Sequence, residues 1–393
     1  MNKLMIEQKG RSQMKSRNKL RIFREILRKE PISRTQLEKE LKLSAPSVTR
    51  IVEELIEGRI VRESGTEETG VGRRPILLEI NPLAYYSIGI HITKTKLYLC
   101  LTDLKNRMVG QHSVSIADVM DGDSFVKVIC SGIADVLAGK QLSENCLLGI
   151  GIACRGIVDQ KNGVVIRYKQ GITQIALKAL LESLYHCHVY VENNTVIKLL
   201  YDYNNHLESR DQDILYLYMD EGIGGSVISN GMIISGEHNM ASKIAHLPVE
   251  AGGRTCTCGK CGHLEAYLLK SRMEEEYYRR TGNTSVLTLR EICEQANRGE
   301  ETAVWLLDKA LDKLAIAMNQ MLVLINPGTV VFSGDLFESY KDCIGLLKSK
   351  TEQLVFDPLL AEIEWLPDDE TKISPEQCAA FLAVEEALDL NRQ

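Results

Sequence analysis

The sequence predicts a two-part α/β protein: a small basic module of three helices and a β hairpin, then a larger acidic α/β body built in two halves. Three observations carry this. Residues 1–82 hold 18 Lys+Arg against 12 Asp+Glu, whereas the remainder holds 29 against 41, within a chain of net charge -6. Residues 19–58 carry apolar positions at helical spacing, broken twice by turn signals. From residue 84 the pattern changes to short apolar strands alternating with helical segments, and it does so twice over.

The first module reads element by element. Residues 19–29 (KLRIFREILRK) place Leu20, Ile22, Phe23, Ile26 and Leu27 on one helical face, and Pro31 ends the run. Ser33 caps a second short helix (SRTQLEKELKL), with Gln36 three residues on completing a capping box. A break at Leu43–Ser44 leads to a third helix (SAPSVTRIVEELIEG), whose apolar stripe is Val48, Ile51, Val52 and Leu55 and which Gly58 stops. Two short helices joined by a tight turn form a helix-turn-helix pattern. Ser44, Ser47, Thr49 and Arg50 then stand where side chains reach base edges and phosphates in a major groove. Arg59–Ser64, the loop ETGVGRRP and the strand ILLEI follow as a hairpin wing. Its Arg73 and Arg74, beside Gly72, suit a narrow, electronegative minor groove. A helical bundle used for dimerisation is the plainer reading of the same helices, and Asn81–Pro82 marks a linker.

The body begins with the strands YYSIGIHIT, KLYLCLTDL, CLLGIGIAC and HVYVENN, which alternate with helical segments such as DSFVKVICSGIADVLAG and QIALKALLESLY. A second set runs from DILYLYMDEGIGGSVISNG to a long helix (TAVWLLDKALDKLAIAMNQMLVLI) and the strand PGTVVFSGDL. Two such halves, each opening on a strand hairpin, predict two lobes with a cleft between them. The segment SPEQCAAFLAVEEAL at 374–388 is expected to pack back on the first lobe. The expected domains are therefore 1–82, 83–200 with a returning helix at 374–390, and 201–373.

Composition excludes several classes. A chain of 393 residues, at about 150 residues per domain, holds two or three domains. Its 44% apolar and 25% charged residues are those of a protein with a sizeable core. No stretch approaches ~18 uncharged apolar residues, so no membrane span is expected. The start carries no apolar h-region and no small-residue cleavage site, so it does not read as a signal peptide. Eleven Cys without export read as reduced thiols or metal ligands, in a cytoplasmic protein. The basic module fused to an acidic body points to a polyanionic partner.

Motifs in the body then narrow the reading. GIGG at 222–225, His246, CTCG at 256–259 and GHLEAY at 262–267 resemble the signature of the ROK family (repressor, open reading frame, kinase). GIGIACRGIVD at 149–159, VENN at 191–194 and INPGTVVFSG at 325–334 fit the same family. The resemblance covers essentially the whole chain, including the N-terminal winged helix-turn-helix that only the repressor branch carries. It implies a two-lobed actin-like, sugar-kinase (ribonuclease-H-like) fold, with sugar bound in the cleft and a structural Zn²⁺ beside it.

In register with the family's zinc ligands stand His246, Cys256, Cys258 and His263, the last replacing a Cys. Thiolate and imidazole both suit tetrahedral zinc, and the tighter CxCxxC spacing keeps Cys261 as an alternative fourth ligand. Four protein ligands leave no position for water, so the implied role is structural. Cys100, Cys130, Cys146, Cys154, Cys187, Cys293, Cys343 and Cys378 lie in apolar runs and are expected in the core.

The resemblance also implies what is missing for catalysis. Family kinases use the Asp of an Asn-Asp pair as the base; here the pair is Asn193–Asn194, and an amide cannot take a proton. Their Asp-x-Gly-Gly-Thr turn, which meets the ATP phosphates, is matched by His91, Ile92, Thr93, Lys94 and Thr95. The closing Gly-Gly is Ser333–Gly334, and Gly222, Gly224 and Gly225 read as turns between strands. No catalytic residue is therefore assigned. The implied ligand pocket keeps Asn193, His246 and Glu265, with Asn194 and Lys243 standing where the family has carboxylates. Lys243 either recognises an acidic sugar derivative, with Arg155 as a second cation, or pairs with Glu265 and fills the pocket.

The expectation is a sugar-responsive DNA-binding regulator, a repressor of carbohydrate genes, working as a homodimer or homotetramer on operator DNA. A small carbohydrate or acidic sugar would shift its lobes, with no chemistry needed. An active sugar kinase and a regulator that binds a protein partner are the rivals.

Overall fold

The computed structural model describes residues 17–66, 75–169, 171–207, 212–219, 222–282, 286–356, 362–368 and 373–390. It divides into two compact units: Met1–Asn205 with Ile373–Gln393, and His206–Lys372.

The first unit opens with helix α1 (residues 17–29), strand β1 (Ile32–Ser33), α2 (Arg34–Leu41) and α3 (Ala45–Glu57). Ser33 caps α2 in the expected box with Gln36. Lys42, left-handed at φ 52°, closes α2 and turns the chain towards Ser44 at the head of α3. The stripe Val48, Ile51, Val52 and Leu55 is buried against Ile22, Phe23 and Ile26 of α1. Strands β2 (Val61–Thr66) and β3 (Ile76–Ile80) pair antiparallel, and β1 adds to β3 as a third strand. The order is thus three helices followed by a hairpin, whose connecting residues 67–74 lie outside the described residues.

The rest of the unit is a five-stranded sheet with flanking helices. Strands β4 (Tyr86–Ile92), β5 (Lys96–Asp103) and β6 (Met108–Ser115) form an antiparallel meander. After α4 (Gly122–Ala138), strand β7 (Leu147–Cys154) pairs parallel to β4. A small antiparallel sheet follows, made of β8 (Ile157–Asp159), β9 (Val164–Lys169) and β10 (Ile172–Ile175). Then come α5 (Leu177–Tyr185), β11 (His188–Asn193), which pairs parallel to β7, and α6 (Asn194–Asp202).

In the second unit, β12 (Ile214–Met219), β13 (Ile223–Ser229) and β14 (Met232–Ile233) again run antiparallel. Helices α7 (Glu265–Leu268), α8 (Lys270–Thr281), α9 (Leu289–Asn297) and α10 (Glu301–Ile325) lead to β15 (Thr329–Ser333), which is parallel to β12. After α11 (Asp335–Ser339) and α12 (Cys343–Glu352), β16 (Glu364–Pro367) is parallel to β15. The two sheet orders, β11-β7-β4-β5-β6 and β14-β13-β12-β15-β16, follow one plan: a three-strand meander whose first strand takes two parallel neighbours in turn. This is the duplicated ribonuclease-H-like plan that the sequence predicts.

The last helix, α13 (Pro375–Leu390), belongs to the first unit and lies on β4 and β7. Glycines allow that close approach: a Cβ on Gly89 would stand 1.7 Å from the Glu376 carbonyl oxygen, and one on Gly151 1.9 Å from that of Ala379. The other face of α13 completes a hydrophobic cluster in which Ile22, Phe23 and Leu37 join Tyr190, Ile197, Phe381 and Leu382. Asn81–Pro82, expected as a linker, thus joins β3 to β4 within continuous packing. Of the cysteines expected in the core, Cys100, Cys154, Cys293, Cys343 and Cys378 are buried, while Cys130, Cys146 and Cys187 are half-buried.

Candidate functional site

The most densely built group of chemistry-bearing residues lies in the second unit, between β14 and α7. It starts from a 3-10 turn, Ile244–His246, seated on β13. Gly225 makes room for that turn, because a Cβ there would stand 2.8 Å from Cγ2 of Ile244. Gly224 and Gly225 pair with Tyr218 and Leu217 inside β13. They are strand residues and not the turn glycines expected, and Gly225 accommodates a neighbour across the sheet face. Beyond His246 the chain folds back on itself. The Val249 amide donates to the Gly262 carbonyl at 2.8 Å, and the Leu264 amide to that of Leu247 at 2.9 Å. Gly262, at φ 81°, is required here: a Cβ would stand 1.7 Å from the Glu250 carbonyl oxygen.

This folding brings His246, Cys256, Cys258 and His263 together, with one donor atom of each within 4.8 Å of all the others. Cys256 Sγ stands 3.6 Å from His246 Nδ1, and Cys258 Sγ 3.3 Å from His263 Nδ1. Tetrahedral bonds of about 2.3 Å to sulfur and 2.0–2.1 Å to nitrogen would put such a pair roughly 3.5 Å apart. The four residues therefore fit a tetrahedral metal ion. Cys261 is exposed, lies outside the group, and has the Thr255 hydroxyl 3.8 Å from its sulfur. Of the two fourth ligands the sequence left open, it is His263 that the fold places in the cluster. Burial, with the Glu265 carboxylate accepting from Cys256 Sγ at 2.9 Å, pushes the Cys256 thiol up to about 12. A cation at the cluster would reverse that preference.

Glu265 itself is buried and also accepts from the Thr257 hydroxyl. It therefore stands directly behind the cluster. Lys243, three residues before His246, is half-buried and lines a largely apolar cavity of about 440 Å³ with Leu215, Val227, Leu247, Met321 and Leu324. In the first unit, Asn193 is the N-cap of α6. Its Oδ1 accepts from the Thr195 amide at 3.1 Å, and its Nδ2 donates to the Gly156 carbonyl at 3.0 Å. Asn194 is the first residue of α6 and is half-buried. Arg155 is half-buried in the turn after β7.

The residues matching a kinase's phosphate turn form the closed link between β4 and β5. The Thr93 amide and hydroxyl both donate to the Lys96 carbonyl, at 3.0 and 3.1 Å. The Tyr168 hydroxyl donates to the carbonyls of Thr93 and Lys94. His91 stacks on Tyr98, and burial lowers its pKa to about 4, so it is neutral near pH 7. Gly334, at φ 105°, lies so close to Met219 that a Cβ would meet its carbonyl oxygen at 2.1 Å.

On the first three helices, Ser44 is exposed and its Oγ is 2.9 Å from that of Ser47. Ser47 and Thr49 are half-buried, and Arg50 is exposed. The distal half of α3 is acidic, with Glu53 and Glu57 exposed, so its exposed cation, Arg50, lies in the N-terminal half. Much of the module's positive charge is consumed internally: Arg28 and Lys29 pair with Glu25, Arg34 with Glu63, and Arg62 with Glu79. Lys42 and Arg59, not singled out from sequence, are exposed and left-handed at φ 52° and 58°. The signal for them was positional, since each follows the end of a helix. Arg73 and Arg74 lie outside the described residues.

Comparison with known proteins places this architecture. The family model described as "ROK family" matches residues 87–385. The xylose repressor of Bacillus spizizenii is 25% identical over 385 residues, covering 96% of this chain and 97% of that protein. The DNA-binding transcriptional dual regulator NagC of Escherichia coli is 25% identical over 350 residues, covering 86% and 84%. A solved ROK family transcriptional regulator, a homologue of the E. coli MLC protein, superposes with a TM-score of 0.81 at 21% identity, over 96% of this chain and 97% of that one. Two sheets of one plan, a Cys/His cluster between β14 and α7 and a family match across most of the chain lead to one conclusion: the chain belongs to the ROK family.

Proposed function

We propose that the protein is a sugar-responsive DNA-binding transcriptional regulator, a repressor of carbohydrate genes, whose kinase-like body senses a ligand without phosphorylating it. The observation that carries this is the join itself. A helix-turn-helix with an exposed Arg50 is packed into the same hydrophobic cluster as the family body, in a chain similar end to end to a xylose repressor. Residues 1–82 act as the DNA-reading domain, 83–200 with 374–390 as the first lobe and 201–373 as the second. Ser44, Ser47, Thr49 and Arg50 meet operator DNA, with Arg73 and Arg74 of the wing. Two-fold half-sites call for a homodimer or homotetramer.

Zn²⁺ is the ion that His246, Cys256, Cys258 and His263 would hold, in a structural role. It would fix the segment carrying His246 and Glu265. Asn193, Asn194, Lys243, His246 and Glu265 are the candidate ligand-binding residues in this reading, and Lys243 favours an acidic sugar derivative. The absence of chemistry is supported by Asn194 in place of a carboxylate and by the closed turn at 93–95.

The test is fluorescence anisotropy of the purified protein on duplex DNA from the region upstream of its own gene, titrated with neutral sugars, uronates and sugar phosphates. Tight, salt-dependent binding released by an acidic sugar is the expected result. Release by a neutral sugar alone removes the role of Lys243, and the lack of specific binding removes the regulator reading.

A further inference from the structure

One buried carboxylate in the first unit serves two masters. Glu385, on α13, is 3% exposed. Its Oε1 accepts from Arg24 Nε of α1 at 2.5 Å and its Oε2 from Arg24 Nη2 at 3.0 Å, a two-point pairing of guanidinium and carboxylate. The same Oε2 also accepts from Asn204 Nδ2 at 2.9 Å. Arg24 belongs to the helix under the DNA-reading pair, whereas Asn204 lies in the π-helical turn Tyr203–Leu207 that continues α6. That turn is where the chain passes from the first unit into the second, between residues 205 and 206. The chain comes back at 373, and α13 starts at Pro375. Both covalent links between the units are therefore anchored in the two helices, α6 and α13, that share a cluster with α1.

We propose that Glu385 is a coupling node: Asn204 fixes the plane of its carboxylate, and the carboxylate in turn fixes Arg24 and the seating of α1. A rearrangement of the 203–207 segment that withdraws the Asn204 amide removes one of the donors that orient the buried carboxylate. The two-point pairing with Arg24 depends on orientation, so α1 then loosens against α13. Ligand state and DNA reading are linked in this way as a shift between two populations. The role in regulation rests on the DNA-binding reading above; the mechanical coupling does not.

Hydrogen–deuterium exchange of the full-length protein, without DNA, tests the coupling. Asn204 lies outside α1, yet Asn204→Ala is expected to speed exchange in residues 17–29 several-fold while leaving α4 unchanged. In a Glu385→Gln background, Asn204→Ala is expected to add nothing further. Arg24→Lys keeps the charge and loses the two-point geometry. It should reproduce the α1 effect, and it provides the same readout if Glu385→Gln fails to fold. Unchanged α1 exchange in Asn204→Ala, or an effect undiminished by Glu385→Gln, overturns the node. Anisotropy on upstream DNA separates the two ideas. A wild type without specific binding sinks the regulator reading whatever the exchange shows. Specific binding with unchanged exchange sinks only the node.

Discussion

Gly225 and Ile244 stand so close that a Cβ on the glycine would lie 2.8 Å from Cγ2 and 3.0 Å from Cδ1 of the isoleucine. The glycine in β13 thus sets the height of the turn that presents His246. Gly225→Ala is expected to cost roughly 1–3 kcal/mol, the usual range for overpacking a closed contact. It should also weaken metal retention by displacing His246. Urea unfolding and the zinc content of the purified variant measure both. A variant with full stability and full zinc content would show that the contact is not restrictive.

The cluster predicts a ligand hierarchy. The wild type should carry one zinc per chain. Cys256→Ser and His263→Ala should lose it to a chelator, whereas Cys261→Ser keeps it, because that thiol lies outside the group. His263→Cys should also retain the metal, since thiolate serves a tetrahedral site as well as imidazole does. Elemental analysis before and after chelator dialysis reads this out. Zinc lost from Cys261→Ser but kept by His263→Ala would reverse the assignment.

Arg50 is expected to carry base readout. Arg50→Ala should weaken specific binding by roughly 5- to 150-fold, the equivalent of about 1–3 kcal/mol for a lost two-point contact to a base. Lys42→Ala and Arg59→Ala should weaken binding to all duplexes alike and lower the salt slope by about 1 each. Anisotropy at several salt concentrations, on upstream and scrambled duplexes, distinguishes the two patterns.

In the regulator reading, a carboxylate at position 194 should not create a kinase. Asn194→Asp is expected to leave ADP release at background over a panel of hexoses and pentoses, because the Thr93 turn remains closed by its own hydroxyl and by Tyr168. ADP release by the wild type would establish the kinase instead.

His91 gives a pH signature. Burial lowers its pKa from 6.5 to about 4, so between those values the unfolded chain binds the extra proton and the folded chain does not. The stability from this group is complete above pH 6.5 and falls as the pH drops towards 4, by at most about 3 kcal/mol. His91→Gln should flatten that part of the curve. Urea midpoints at pH 5 and pH 7 for the two proteins make the comparison, and parallel curves would exclude His91 as the source.

Local features were legible from the order of residues alone. The stripe Val48, Ile51, Val52 and Leu55 repeats at the helical period, so burying it follows from the helix alone. The Ser33–Gln36 box needs only one turn of chain. The Cys/His group was legible through its resemblance to the family's zinc ligands, three of them within eight residues. Tertiary structure decided the rest. Gly224 and Gly225 look like a turn in one dimension, yet both pair within β13, and only the packing of Ile244 shows why that strand needs Gly225. His263 and Cys261 are equal as ligands in composition, and the left-handed Gly262 between them decides which one turns inward. Arg24 and Glu385 are 361 residues apart. No pattern of spacing pairs them, because their contact exists only once α13 has returned to the sheet, and the buried Glu385 carboxylate then depends on the half-buried Arg24.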